Sequence, residues 1–423
     1  MKFITVGTLF GLSFLICITL CGSVTAAPTW TTYAGYKKIV EDYKRKDTSI
    51  LLKDLQSKDP MDRQLAALGL GAKGKDGIEP LLALSKSSYF TDRFYAISAL
   101  SDVYNTTHDE RALDAVIGGI NDDNIVVALG AAGCLDMDNP KAINSLVVAL
   151  KDTRKDSGGN SVQDYATDSL VKIGKPSVES LIGALKDKDP QVRYRAVKAL
   201  GEIKDEKAAA SLASLLGDKA IISIRRPDVD TIPDPIAATN EEMRLINLRR
   251  TISPTAADDL REYKYASEPL PKAMYHRQSD GIVEGSGILA KNAINWMLKE
   301  RYYKATIGEL SRVALVNMGP SVTENIAPLL ESDDSYVRSG AVYVAGGIKA
   351  ISLTKNVADI LINDKDPDVR KIAALALGEM GDSRAAKYLN EAGLTEKRKD
   401  VKDAITYSMD KLKNSLPTVV EGN

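Results

Sequence analysis

Apolar residues along this chain fall at helical spacing in short bursts that recur about every thirty residues. In Asp189-Pro190-Gln191-Val192-Arg193-Tyr194-Arg195-Ala196-Val197-Lys198-Ala199-Leu200-Gly201-Glu202-Ile203, the residues Val192, Ala196, Ala199, Leu200 and Ile203 form one apolar stripe. Asp189 offers an acceptor to the free N–H groups of the first turn, and Pro190 suits the first helical position. The stretch Lys204-Asp205-Glu206 turns the chain. A second stripe, Ala208, Leu212, Leu215 and Leu216, predicts a partner helix that ends at Gly217-Asp218. Small residues such as Ala196 and Ala199 allow the paired helices to approach closely.

The pattern returns as Asp366-Pro367-Asp368-Val369-Arg370-Lys371-Ile372-Ala373-Ala374-Leu375-Ala376-Leu377-Gly378-Glu379-Met380. Units align on the Ala three residues after the Arg: Ala66, Ala96, Ala128, Ala166 and Ala196, at steps of 30, 32, 38 and 30 residues. The series resumes at Ser311, Ala341, Ala373 and Ile405, at steps of 30, 32 and 32, so nine units are visible. Tyr36 to Asp54 reads as a leading helix pair that caps the first. A fixed period of this size means a solenoid, in which each unit buries its apolar face against its neighbours. The 38-residue step holds Arg154-Lys155-Asp156-Ser157-Gly158-Gly159-Asn160, expected to be a flexible polar loop. A larger interruption separates Ala196 from Ser311 and carries Pro227, Pro233, Pro235, Pro254, Pro269 and Pro271. Within it Glu241 to Arg250 reads as a short helix, and Ile288 to Tyr303 as a longer amphipathic helix leading back into the array.

The motif Asp-Pro-x-Val-Arg at 189–193 and 366–370, the degenerate Asp334-Ser335-Tyr336-Val337-Arg338 and the weaker Asp59-Pro60-Met61-Asp62-Arg63 resemble the HEAT repeat, in the short form of the phycobilin lyase repeat family. The units at Ala128, Ala166 and Ser311 lack the Arg. The resemblance implies an all-α fold, a right-handed α-solenoid of HEAT-like helix pairs with one long insertion, whose second helices line a groove. The organisation expected is a signal peptide at 1–26, an array at 27–218, a Pro-rich insertion at 219–287, a second array at 288–414 and a tail at 415–423. Such repeats serve many roles, so the fold alone names no activity.

Charge narrows little: 56 Lys and Arg stand against 57 Asp and Glu, a net charge of -1. Nothing in that balance calls for nucleic acid or an anionic membrane surface. The N-terminus reads as an export signal, with Lys2, an uncharged apolar run from Phe3 to Cys21, and the small residues of Val24-Thr25-Ala26 placing cleavage before Ala27. The alternatives are an uncleaved anchor and lipidation at Cys21, which Leu20 in the preceding position disfavours. After cleavage Cys134 is the one cysteine left, so no intrachain disulfide is expected, and its neighbours Ala131-Ala132-Gly133 suggest a small buried residue.

The recurring Arg193, Arg338 and Arg370, with Asp189 and Asp366, read as an internal ladder between repeats rather than a ligand site. In the insertion, Asp228, Asp230 and Asp234 lack the Gly turn and distal Glu of a calcium loop, so no metal and no cofactor is expected. His108 and His276 read as surface residues. No His is followed by Glu, which excludes an activity resembling deoxyhypusine hydroxylase. Gly281 to Gly287 is Gly-rich without the strand context of a nucleotide site and reads as a hinge. The binding candidates are Arg225, Arg226, Arg249 and Arg250 for an acidic partner, and Tyr275, Trp296, Tyr302 and Tyr303 as aromatic anchors. The expectation is an exported, non-catalytic scaffold for a protein or peptide partner, periplasmic or extracellular. A cofactor chaperone resembling the phycobilin lyases and a self-assembling envelope component are the alternatives.

Overall fold

The Asp-Pro pairs start helices. Asp59, Asp189 and Asp366 each accept a hydrogen bond from the amide two residues on, with Pro in the first turn. The computed structural model describes residues 33–157, 159–225 and 302–415, and most of that chain is helical. It divides into two compact units, the first reaching Ala208 and the second starting at Ala209. The signal peptide expected at 1–26 and residues 416–423 of the expected tail lie outside the described residues.

In the first unit, long and short helices alternate. They are α1 (Tyr33–Arg45) with α2 (Thr48–Asp54), α3 (Pro60–Gly71) with α4 (Ile78–Leu84), α5 (Phe90–Thr107) with α6 (Glu110–Gly119), α7 (Ile125–Cys134) with α8 (Pro140–Ala149), α9 (Val162–Ile173) with α10 (Val178–Ala184), and α11 (Pro190–Ile203). Each odd-numbered helix packs on the next odd-numbered one, and from α4 to α10 the even-numbered helices form a second layer in the same order. Between the layers runs the core: the aligned Ala66, Ala96, Ala128, Ala166 and Ala196 are fully buried, as are Leu70, Leu100, Leu170 and Leu200 one turn on. Each such leucine contributes about 1.5–3 kcal/mol of burial. Serines stitch the first layer: Ser101 donates to the Cys134 carbonyl at 2.9 Å and Ser169 to that of Ala132 at 2.8 Å. The loop expected to be flexible in the 38-residue step is pinned instead. The Asp156 carboxylate accepts from the Asn160 amide at 2.8 Å, Lys155 pairs with Ser161, and Arg154 reaches back to the carbonyls of Asp122 and Ile120 at 2.7 and 2.6 Å.

The second unit comprises α12 (Ala209–Ser214), strands β1 (Ile221–Arg225) and β2 (Tyr302–Thr306), α13 (Ile307–Met318), α14 (Thr323–Ile326), α15 (Ser335–Gly347), α16 (Thr354–Asn363), α17 (Pro367–Met380), α18 (Ala385–Thr395) and α19 (Lys399–Ser415). The first-layer helices α13, α15, α17 and α19 pack in sequence. Fold class is that of an all-α solenoid with one local exception. β1 and β2 pair antiparallel, Ile221 opposite Thr306 and Arg225 opposite Tyr302. This corrects the end of the helix expected over Ile288 to Tyr303, since Tyr302 and Tyr303 are extended. The reason is a period of two: Ile222 and Ile224 are 3% and 7% exposed while Ile221, between the array and the buried pair, is 64% exposed. Where β2 ends, Thr306 and Glu309 form a capping box that starts α13.

Candidate partner-binding face

The turns before α3, α7, α11, α15 and α17 are built from two side-chain acceptors in series. The residue two before the cap accepts from the cap's own amide: Asp122 from Asn124 at 2.8 Å, Asp187 from Asp189 at 2.9 Å, Asp364 from Asp366 at 2.9 Å. The arginine four residues after the cap then folds back over this turn. Arg338 donates through Nη1 to the carbonyls of Ser332 and Asp333 at 2.8 and 3.0 Å, and Arg193 to those of Asp187 and Lys188 at 2.9 and 3.1 Å. Its other edge crosses to the next repeat. Arg93 holds Asp122 through two bonds of 2.7 Å, Arg338 holds Asp364 at 2.7 and 2.8 Å, and Arg370 holds Glu396 at 2.7 and 3.1 Å.

Asp189 and Asp366, grouped with the arginines in the sequence, therefore serve as helix caps, and the carboxylates that receive the arginines sit two residues before a cap. Where that position is Ser87, Arg63 goes instead to Asp92 inside α5, and the Ser87 hydroxyl donates to the same carboxylate at 3.0 Å. The unit at Ala128 has Ile125 in place of the arginine, and Arg154 reaches the same turn from the far side. The unit at Ser311 has Gly308 there because a Cβ would lie 2.7 Å from the Leu216 carbonyl oxygen. The ladder consumes the recurrent charge of the first layer.

The second layer is the open one. On α4, α6, α8 and α10 the residues Ala83, Gly118, Val148 and Gly183 occupy one register position, and all are exposed. Val148 is 71% exposed, and a Cβ added at Gly118 or Gly183 would meet nothing within 4 Å. Between α6 and α8 the surface dips into a cleft of about 420 Å³, lined by Ile117, Ile120, Asn144, Val148 and Lys151 among others. Glu79, Glu110 and Glu179 stand in the first turns of α4, α6 and α10, whereas α8 begins with Pro140 and Lys141. Arg111 pairs with Glu79 at 2.5 Å and Lys141 with Asp114 at 2.9 Å, while Lys151 reaches Asp187 at 2.8 Å. The face thus offers bare backbone, one apolar knob and a ruled set of charges.

Residues 155–226 and 323–410 match the family model for HEAT repeats. Those two stretches are HEAT repeats. A search of proteins of curated function finds no match to the chain. Among solved structures, Kap121p bound to Nup53p is similar at 13% identity and a TM-score of 0.50, covering 95% of this chain and 41% of that one. A mutant of Kap121p is similar at 14% identity and a TM-score of 0.48, covering 98% and 44%. The chain thus spans less than half the length of Kap121p. The complex of CpcE and CpcF of phycocyanin lyase from Nostoc sp. matches at 17% identity and a TM-score of 0.26, covering 71% of this chain and 94% of that one.

The sequence candidates in the insertion fall mostly beyond reach. Arg226, Arg249, Arg250, Tyr275 and Trp296, with Asp228, Asp230, Asp234, His276 and Gly281 to Gly287, lie outside the described residues. The backbone of Arg225, Tyr302 and Tyr303 lies at one end of the ribbon, where Arg225 pairs with Tyr302 and Tyr303 with Ile224. His108 is exposed and caps α5 in the left-handed region. Burial pushes the Cys134 thiol up to about 12. No group of His, Cys, Asp and Glu among the described residues stands close enough to hold a metal ion.

One first-layer helix breaks the pattern in a way sequence reading missed. After the aligned residue the repeats place Ala67, Ile97, Leu129, Thr167, Val197, Val342 or Ala374, all buried, but α13 places Arg312. It is 2% exposed. Its Nη2 donates to the Tyr336 carbonyl at 3.1 Å and to the Ser339 hydroxyl at 3.4 Å, and the Tyr336 ring lies 4.5 Å from the guanidinium carbon. Burial depresses its basicity. The neighbouring α15 makes room with Gly340, where a Cβ would lie 2.9 Å from Nε. The signal was available: a charged residue at an otherwise uncharged register position.

Proposed function

We propose that the chain is an exported, non-catalytic scaffold that takes a protein or peptide partner against the second-layer face of its HEAT repeats. The observation that carries this reading is the exposed row Ala83, Gly118, Val148 and Gly183, with open space over both glycines. Bare helix backbone and a single apolar knob let another chain approach closely. Arg63, Arg93, Arg338 and Arg370 are tied up in the ladder, which leaves the second layer as the adaptable surface of the repeat. Kap121p, whose fold is similar, has been solved with Nup53p bound, which supports a protein partner. Export rests on Lys2, the Phe3 to Cys21 run and cleavage before Ala27.

The test immobilises the chain from Ala27 and exposes it to envelope extract beside a Val148→Arg, Gly183→Arg double variant. Both substitutions point into solvent, so the variant keeps its circular dichroism and Tm. A partner retained by the parent and lost by the variant is expected. Equal capture by both would move binding off this face, and no partner for either would sink the scaffold reading. N-terminal sequencing of the protein from its cell should begin at Ala27; a first residue at Met1 would overturn export by cleavage.

A further inference from the structure

The two edges of the second layer differ in how their charge is answered. Lys86, Asn121, Lys151 and Lys186 stand two residues past the ends of α4, α6, α8 and α10. Each of their amides donates to the carbonyl three residues back, that of Ala83, Gly118, Val148 or Gly183, at 3.1 to 3.2 Å. All four residues are exposed, so a basic row with one amide in it crosses four repeats. The opposite edge neutralises itself: Arg111 pairs with Glu79, and Lys141 with both Glu110 and Asp114. On the basic row Lys151 meets Asp187, but Lys86 and Lys186 have no carboxylate partner among the described residues. Between the edges lies an aliphatic row, Leu82, Ile117, Val147 and Ile182, half-buried at equivalent positions. The cleft between α6 and α8 joins the two rows, since Ile117, Asn121 and Lys151 all line it.

We propose that the partner segment is an acidic amphipathic helix, an assignment that rests on the second-layer reading above and names what that face takes. The helix lies across α4 to α10, with apolar side chains on the aliphatic row and in the cleft, and with carboxylates towards Lys86, Lys151 and Lys186. The chain as a whole carries a net charge of -1, so the local row, and not the molecule, draws an acidic segment. Conformation follows from backbone chemistry. The backbone of a helix is already paired within itself, so this face offers little to an extended strand, whereas a second helix arrives with its own N–H and C=O groups satisfied. Spacing agrees. Neighbouring helices pack about 8–10 Å apart, and residues seven apart on a helix are separated by about 10.5 Å, so acids at heptad spacing meet successive repeats. Three such steps span about 30 Å, the length of a helix of about twenty residues.

The experiment uses two blocked, fluorescein-labelled peptides of about 21 residues, helical by design. They share one leucine and alanine face and differ only in carrying Glu or Lys on the flanks. Fluorescence anisotropy follows each against the chain from Ala27 in about 50 mM sodium chloride. The expected result is saturable binding of the Glu peptide, about tenfold or more tighter than the Lys peptide, that weakens as salt is raised. Lys86→Glu, Lys186→Glu inverts that preference, and the neutral Lys86→Gln, Lys186→Gln protein falls between. Both pairs of substitutions are on the surface, and unchanged circular dichroism confirms that the proteins fold. Gly118→Gln puts a bulky neutral side chain beside the cleft and weakens the Glu peptide about tenfold without changing any charge. Equal binding of the two peptides, or a Glu preference that survives in Lys86→Glu, Lys186→Glu, overturns the proposal. So does a Glu peptide indifferent to Gly118→Gln, which would bind elsewhere, as on the insertion. Binding of neither peptide also overturns it, while the scaffold reading stands or falls separately on whether Val148→Arg, Gly183→Arg loses its captured partner.

Discussion

At the scale of single residues, the ladder makes this chain acid-sensitive at identifiable carboxylates. The Arg370 guanidinium, with the amides of Lys397 and Arg398, holds the Glu396 carboxyl down to about 2 against the opposing effect of burial. A folded value below the ordinary 4.5 means the pair contributes fully above that pH and its contribution is lost as pH falls towards 2. The contribution is on the order of 1–3 kcal/mol, because the Glu396 side chain is only 7% exposed and removing it strands a largely buried arginine. Glu396→Gln should therefore lower unfolding stability by that amount at pH 7, with the gap shrinking below pH 4.5 and closing as the pH falls through about 2. Urea unfolding of both proteins across this range checks it; a gap that stays constant with pH would show that the carboxylate is not the source. The arginines were legible in sequence because Asp-Pro-x-Val-Arg recurs. Their acceptors were not, because they lie 26 to 29 residues downstream and change identity from Asp92 to Asp122, Asp364 and Glu396. A ladder of this kind is a property of successive turns rather than of one motif.

At the scale of elements, glycines separate the two layers. Gly346 in α15 sits where a Cβ would lie 2.8 Å from the Ala376 Cα of α17, so the first layer packs backbone against backbone. Gly346→Ala should cost about 1–3 kcal/mol by pushing these helices apart. On the second layer the same change has the opposite sign. Gly118→Ala and Gly183→Ala add a methyl to open space and remove a glycine from the last turn of α6 and α10, which should gain up to about 0.5 kcal/mol each. If a partner packs on bare backbone there, these more stable variants will also bind it more weakly. Thermal unfolding and capture run on the same three proteins check both parts, and a Gly183→Ala protein that is less stable than its parent would show that the face is already covered. Helix starts were readable from the caps at Asp59, Asp189 and Asp366 because a cap is a local device. The ribbon was not, although Ile221-Ile222-Ser223-Ile224 has strand character, because its partner strand begins only at Tyr302 and pairing over that distance leaves no local mark. Arg312 went unread for a related reason: a buried charge looks ordinary until the register position it interrupts is lined up across repeats.

At the scale of the whole molecule, the ribbon decides how the insertion can be removed. Arg225 and Tyr302 are the terminal pair of the β1–β2 register, so the chain leaves and re-enters the array at one point. Antiparallel neighbours of that kind are joined by a two-residue turn, and Asn-Gly supplies the positive φ angles that a type I′ turn needs. Replacing residues 226–301 with Asn-Gly should therefore give a folded helical protein whose Tm lies within a few degrees of the parent. Deleting 220–285 instead removes β1 and with it the buried Ile222 and Ile224, a loss of about 3–6 kcal/mol, together with the bond from the Ile307 amide to the Ala220 carbonyl. That variant should melt well below the Asn-Gly variant. The order of the two melting temperatures tests whether the ribbon belongs to the array or to the insertion. Equal destabilisation in both would mean that residues 226–301 themselves support the repeats. Given the expected order, the Asn-Gly protein becomes the clean background on which to ask what the insertion binds: a partner held by the parent and by the Asn-Gly variant alike is held by the repeats, whereas one lost only with residues 226–301 is held by the segment that carries Arg226, Arg249, Arg250, Tyr275 and Trp296.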